Sequence, residues 1–280
     1  MSKEAKGKIK DSIFTNLFGQ KRYMRELYLA LHPEDSISED ELKTVTLENV
    51  LVDDIYNDLG FLAKDTLITM VEAQSTWNWN MALRLLMYYV ETVRKEYVGV
   101  ESEKLYGSKA IFIPRPEMYV VYTGSRQERP ETITLSSAHF MGQKSDVEVT
   151  IHMLYGGGSD IIGQYVEFTR VIDSWIRKLG RTKDAVLEAI SECVKRNVLK
   201  EYLSDHESEV LDIMTTLFDQ ESLTKQMMNR QYRMGDARRL VNDVENIMSH
   251  YGVSLAEACD VTRCSVEEYY RAKNLLNSEM

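Results

Sequence analysis

The chain has 280 residues and carries 34 Lys+Arg against 44 Asp+Glu, a formal charge of -10. That length suits one large domain or two smaller ones around a buried core. Apolar residues at 44% and charged residues at 28% exclude wholesale disorder. The acidic balance excludes coating of nucleic acid by bulk charge and leaves room only for a local basic groove. No run of about 18 apolar residues occurs, so no membrane-spanning helix is expected. The opening MSKEAKGKIK has charge with no apolar stretch behind it, so no secretory signal is expected. Cys193, Cys259 and Cys264 lack zinc-type spacing and read as reduced thiols of a cytoplasmic protein.

Four prolines occur, three of them between Pro114 and Pro130. Before them, residues 9–31 have helical spacing, with Ile13, Phe14, Leu17, Phe18, Leu27 and Leu31 on one face. Ser12 or Asp11 is the expected N-cap, and His32–Pro33 stops the helix. Residues 34–42 read as a loop with one short helical turn. Residues 47–74 are rich in Val, Ile, Leu and Thr around a polar break at 63–66, which predicts a hairpin. Residues 80–95 return to helical period, with Met81, Leu85, Tyr88, Tyr89 and Thr92 on one face and Arg84 beside it.

Residues 117–123 and 147–154 read as a third and a fourth strand, and Gly156–Gly158 as a flexible connection. Helices are expected over 162–178, 182–195, 206–217, 221–232 and 236–250, with Gly180 and Gly252 at helix ends. The fold class expected is α+β, a small mixed sheet flanked by helices with an all-helical C-terminal region. The core is placed at 9–155 and the helical region at 160–280.

The hairpin carries the residues of most chemical interest. Glu72 and Gln74 lie two apart on a strand, so both belong to one face. Asp58 lies on the preceding strand. A two-residue turn at Lys64–Asp65 would set Asp58 opposite Val71, on the wrong face. A three-residue tip, or a bulge permitted by Gly60, sets it opposite Glu72. The longer tip or the bulge is expected. Such a cluster of hard oxygen ligands suits Mg²⁺ or Mn²⁺. Taken alone, the pattern D–x13–E–x–Q is loose enough to be an ordinary solvated hairpin.

KDSIFTNLFG at 10–19, NDLGFL at 57–62, MVEAQSTW at 70–77 followed by MALRLLMYYVETVRKEY, and IPRPEMYVVYTG at 113–124 resemble the PD-(D/E)xK nuclease superfamily. More narrowly, they resemble its recombination-promoting nuclease / putative transposase branch. The stretch from YVEFTRVIDSW through LFDQE resembles the helical tail of bacterial members, so the likeness spans about residues 9 to 220. The resemblance implies a restriction-endonuclease-like core and Mg²⁺- or Mn²⁺-dependent cleavage of DNA phosphodiesters. It places the motif aspartate on Asp58, the acidic residue of (D/E)xK on Glu72 and the lysine position on Gln74. Gln in place of Lys is a departure from the superfamily pattern, and Pro does not precede Asp58. An amide can orient a water or bind a metal through its oxygen, but it cannot act as a general base.

By that resemblance Asp58 and Glu72 bind the metal, the Ala73 carbonyl is a third ligand and Gln74 positions the water. Glu26 is a further candidate for the shell, with Asp53 and Asp54 as alternative carboxylates. Arg84 either holds a phosphate or closes a salt bridge. Trp77 and Trp79 are weighed as helix-to-sheet packing ahead of base stacking. Two basic clusters, Lys21/Arg22/Arg25 and Arg230/Arg233/Arg238/Arg239, read first as solvated faces and second as phosphate contacts. The tail VSLAEACDVTRCSVEEYYRAK is helix-turn-helix-like in outline without basic charge, and Cys259 and Cys264 there read as packing residues. The leading expectation is a metal-dependent DNA endonuclease of recombination, transposition or mobile elements, acting as a cytoplasmic homodimer. The alternatives are an inactive relative serving as a protein-interaction or regulatory module, and a nuclease effector in phage defence.

Overall fold

The computed structural model describes residues 13–45, 58–99 and 105–277. The N-cap candidates Asp11 and Ser12 and the carboxylates Asp53 and Asp54 lie outside them. The chain divides into two compact units, Met1–Thr215 and Thr216–Met280.

The first unit is α+β. In chain order it contains α1 (Ile13–Phe18), α2 (Lys21–Leu31), β1 (Leu42–Val45), β2 (Asp58–Ala63), β3 (Leu67–Gln74) and α3 (Met81–Val93). Then come β4 (Arg115–Tyr122), β5 (Thr132–Thr134), α4 (Leu135–His139), β6 (Thr150–Leu154), α5 (Ile161–Leu179), α6 (Lys183–Lys195) and α7 (Lys200–Asp205). Among the described residues the strands form one mixed sheet in the order β1-β2-β3-β4-β6-β5. β1, β2 and β3 are antiparallel neighbours, β4 runs parallel to β3 and to β6, and β5 closes the far edge antiparallel to β6. A parallel β3–β4 pair needs a crossover, which α3 supplies.

Both faces of β3 are covered, so Leu67–Ala73 is buried throughout. Its even-numbered face packs on α3: Ile68 and Met70 share a core with Met81, Ala82, Leu85 and Tyr88, and with Met118, Val120 and Tyr122 of β4. α4 joins that core through Leu135, and the other face meets α2. Tyr28 of α2 stands 6.4 Å from the Phe61 ring of β2. Phe14 of α1 meets Tyr165 of α5 at 5.2 Å. His32, just past the C-terminal end of α2, bonds Glu117 of β4 at 2.6 Å.

The single helix expected over 9–31 is two. The chain turns at Gly19, where a Cβ would lie 2.5 Å from the Thr15 carbonyl oxygen. The core expected to close near 155 also extends further. α5 contacts both α2 and β4, and α6 packs along α5, so the helices as far as Thr215 belong to the first unit. β1, β5, α4 and α7 were not anticipated; each is six residues or shorter. Such short segments carry too few periods to show a pattern.

The helices expected over 206–217, 221–232 and 236–250 are one, α8 (Glu207–Tyr251). No proline follows Pro130 in the chain. A helix passes through Gly235 at a cost of only about 1 kcal/mol. Polar gaps in the apolar period had the look of breaks; the backbone continues across them.

In the second unit, Ala237, Val241 and Val244 of α8 pack with Ala258 and Cys259 of α9 (Leu255–Thr262) and with Tyr269 and Ala272 of α10 (Val266–Asn277). Ser254 caps α9 with Glu257 in a capping box. Arg263 turns the chain in the left-handed region at φ 56. Glu245 of α8 accepts hydrogen bonds from Tyr269 Oη at 2.9 Å and Lys273 Nζ at 2.8 Å, which hold its carboxyl below the usual range. The helix-turn-helix outline is therefore present. The first turn of its second helix carries Glu267 and Glu268, the wrong sign for a DNA groove.

The cysteines serve packing. Cys193 is fully buried, and that burial pushes its thiol up to about 12. Cys259 is buried and shifted the same way, while Cys264 is half-buried. In the native protein at pH 8, iodoacetamide is expected to label Cys264 alone, with all three thiols labelled after unfolding; mass spectrometry reads the count. Rapid native labelling of Cys193 would contradict this packing.

Candidate active site

The hairpin joins β2 to β3 with the pairs Ala63↔Leu67 and Asp58↔Glu72. The tip is thus three residues, Lys64 to Thr66, and no bulge at Gly60 is needed. Lys64 and Asp65 both take left-handed backbone, at φ 52 and 55. Each is tied down: Lys64 Nζ bonds Asp35 at 2.7 Å and Asp65 accepts from Lys43 Nζ at 2.6 Å. The register places the Asp58 and Glu72 positions opposite each other on the α3 face. Gln74 follows Glu72 on that face, and Ala73 lies between them facing the other way.

Glu72 is a charged side chain in the interior of the sheet, with 3% of its side chain exposed. Burying a carboxylate is costly unless an opposite charge and hydrogen bonds accompany it. The crossover brings that charge back: Arg84 of α3 sets Nη1 3.1 Å from Glu72 Oε1. Arg84 Nη2 also donates to Tyr88 Oη at 3.4 Å, one helical turn on. Of the two expectations for Arg84, the salt bridge is the one the structure shows.

Gln74 differs in its side chain. Its backbone oxygen accepts from the Thr123 amide at 2.9 Å, which extends the β3–β4 ladder. Its side-chain Oε1 is buried and accepts no hydrogen bond among the described residues. A buried amide oxygen left so costs about 1–3 kcal/mol, and a cation or a cation-bound water would satisfy it. Carboxylate, carboxylate and amide oxygen are the donors a hard divalent cation takes. The residues present therefore fit Mg²⁺ or Mn²⁺, with Asp58, Glu72 and Gln74 as holders and the Ala73 carbonyl as the expected addition. Among the described residues no group of three His, Cys, Asp or Glu side chains converges.

Glu26 does not join the site. It lies on α2, which packs on the opposite face of the sheet, and it pairs with Arg22 at 3.5 Å. The first basic cluster is likewise engaged elsewhere. Lys21 faces Asp40, Arg22 bonds Glu201, and Arg25 Nε donates to the Ile37 carbonyl. In the second cluster Arg239 pairs with Asp236.

Beyond Gln74 the end of the sheet carries an aromatic row that sequence reading caught only in part. Gln74 stands in register with Tyr122 of β4. The Tyr122 ring meets Trp77 edge-on at 5.4 Å, and Trp77 meets Trp79 at 5.4 Å. Arg126 lies over both indoles, 4.5 Å from the Trp77 ring and 5.6 Å from Trp79. Gly124 makes this closeness possible, since a Cβ there would lie 2.1 Å from the Ser75 carbonyl oxygen and 2.4 Å from Tyr122 Oη. Trp77 packs against the α3 core, as expected, whereas Trp79 is 48% exposed. Arg126 went unnoticed because only the parallel pairing of β3 with β4 brings it beside residues 77–79.

No family model, curated protein or solved structure matches this chain. No helix among the described residues is long and apolar enough to cross a membrane.

Proposed function

We propose that this chain is a metal-dependent DNA endonuclease of the PD-(D/E)xK type, working in recombination, transposition or mobile-element biology. The observation that carries the reading is the hairpin register, which sets Asp58 opposite Glu72 with Gln74 on the same face. The buried Gln74 Oε1 with no donor among the described residues adds to it. A divalent cation held there would lower the pKa of a bound water and offset charge on the phosphodiester. The protein's own groups have narrower tasks. Arg84 fixes the orientation of the Glu72 carboxylate, and the Gln74 amide orients a water without taking its proton. One such site cuts one strand, so double-strand cleavage calls for a homodimer.

The test is relaxation of supercoiled plasmid by wild type and by Asp58→Asn, in Mg²⁺, Mn²⁺ or EDTA. Wild type is expected to nick with either metal and to stop in EDTA, and Asp58→Asn to remain at the EDTA background. Equal cleavage by the two proteins would sink the assignment. A second reading draws on the Glu72–Arg84 pair, which neutralises the buried carboxylate with no metal at all. By that reading the chain is an inactive relative that serves as an interaction module, and wild type cuts under none of the three conditions.

A further inference from the structure

We infer that the Trp77–Trp79–Arg126 face is a platform for a nucleobase of single-stranded DNA, so that the site acts on single-stranded or locally opened strands. The inference rests on the endonuclease reading above and names the substrate class of that same site. Three observations converge on it.

First, the row starts at the site. Tyr122 stands in register with Gln74, and Trp77 and Trp79 follow Gln74 within five residues. Second, the row ends in a half-exposed indole: Trp79 is held edge-on by Trp77 and by the Arg126 guanidinium 5.6 Å from its ring. A second cation continues the pattern, with Arg129 5.3 Å over Tyr155, whose ring is 6.1 Å from Tyr122. Aromatic faces interleaved with arginines are what sequence-tolerant single-strand binding uses, because every base has a π-face and every link a negative charge. Third, the row holds two donors that the protein does not use. Trp77 Nε1 and Arg126 Nε are both buried, and neither finds an acceptor among the described residues. A packing cluster gains nothing from two such donors, each of which costs about 1–3 kcal/mol. Both are closed to solvent as the side chains stand, so a base carbonyl or a phosphate oxygen would reach them once the Trp77 and Arg126 side chains part around a seated nucleotide.

A duplex would not reach this face with a stacked base, since its bases are occupied by each other. The occupant is a nucleotide whose base is free of its neighbours. Arg126 is also paired with Glu128, which confines its charge and leaves stacking as the larger contribution.

The experiment measures binding and cutting separately. Fluorescence anisotropy in EDTA compares a labelled 15-nucleotide oligothymidylate with a 15-base-pair duplex, for wild type, Trp79→Ala and Trp79→Phe. Cleavage of the same oligonucleotides is then followed in Mg²⁺. Wild type is expected to favour the single strand. Trp79→Ala is expected to weaken it about ten-fold, the loss of one stacked base, and Trp79→Phe to recover most of that. Duplex affinity should move little. Far-UV circular dichroism of both variants checks the fold, which a half-exposed side chain is not expected to disturb. Trp79-dependent binding without metal-dependent cleavage would keep the platform and overturn the nuclease reading. Metal-dependent cleavage with Trp79→Ala binding the single strand like wild type would overturn the platform and keep the nuclease.

Discussion

Arg84→Met is expected to cost about 3 kcal/mol of folding stability, the range for removing one partner of a buried ion pair. The substitution keeps the length of the side chain and takes away the guanidinium 3.1 Å from a carboxylate whose side chain is 3% exposed. Glu72→Gln should cost less, because an amide is easier to bury than a carboxylate. The double variant should cost less than the sum of the two, since the methionine no longer strands a charge. Urea denaturation of the four proteins closes the cycle, and strict additivity would show that the pair is not coupled. A metal arm extends the test without any assay of cleavage. If a divalent cation binds at the Asp58/Glu72 pair, Mg²⁺ should raise the urea midpoint of Arg84→Met more than that of wild type, because the cation takes over the missing charge. No such gain would argue against a metal at this position.

Phe14→Ala is expected to be the most damaging substitution in the helical layer, at about 4 kcal/mol. Phe14 is fully buried. Its ring stands edge-on to Phe18 at 4.9 Å and to Tyr165 at 5.2 Å, so it ties α1 to α5 across 151 residues of chain. Emptying that position removes the transfer energy of the ring, two edge-to-face contacts, and the support of a helix only six residues long. Phe14→Leu, which keeps most of the volume, should cost roughly 1 kcal/mol. The comparison is read from urea midpoints, and a loss under 1 kcal/mol for Phe14→Ala would show that α1 is not needed to hold the sheet.

Much of the candidate site was legible in the sequence because it depends on a local rule. Asp58, Glu72 and Gln74 sit on one hairpin, and strand parity plus tip length settle which residues share a face. The tip could be read because 63–66 is the polar break between two apolar runs. The α3 face was legible for the same kind of reason, from Met81, Leu85 and Tyr88 at helical steps. Long-range partners were not. Glu72 and Arg84 were each noted, but their meeting depends on the crossover bringing α3 back over β3. Arg126 is 47 positions from Trp79, and the strand pairing that joins their neighbourhoods lies between them. α8 was misread in the opposite way: local polarity suggested breaks where the backbone had no reason to stop.

The three-residue tip makes the chemistry of this chain a matter of odd and even. Asp58 and Glu72 face each other some 20 Å from Thr66 along the strands, at about 3.3 Å per residue. A slip of the pairing by one residue, with Thr66 drawn into the ladder opposite Ala63, would leave two good strands and a buried sheet, yet would match Asp58 with Val71. The site can thus be switched off by a change of register alone, with every residue of the chain still in place. The two clamps on the tip, Lys64 to Asp35 and Lys43 to Asp65, belong to this logic. They hold the count at the far end of the hairpin so that the acidic pair stays in phase at the near end.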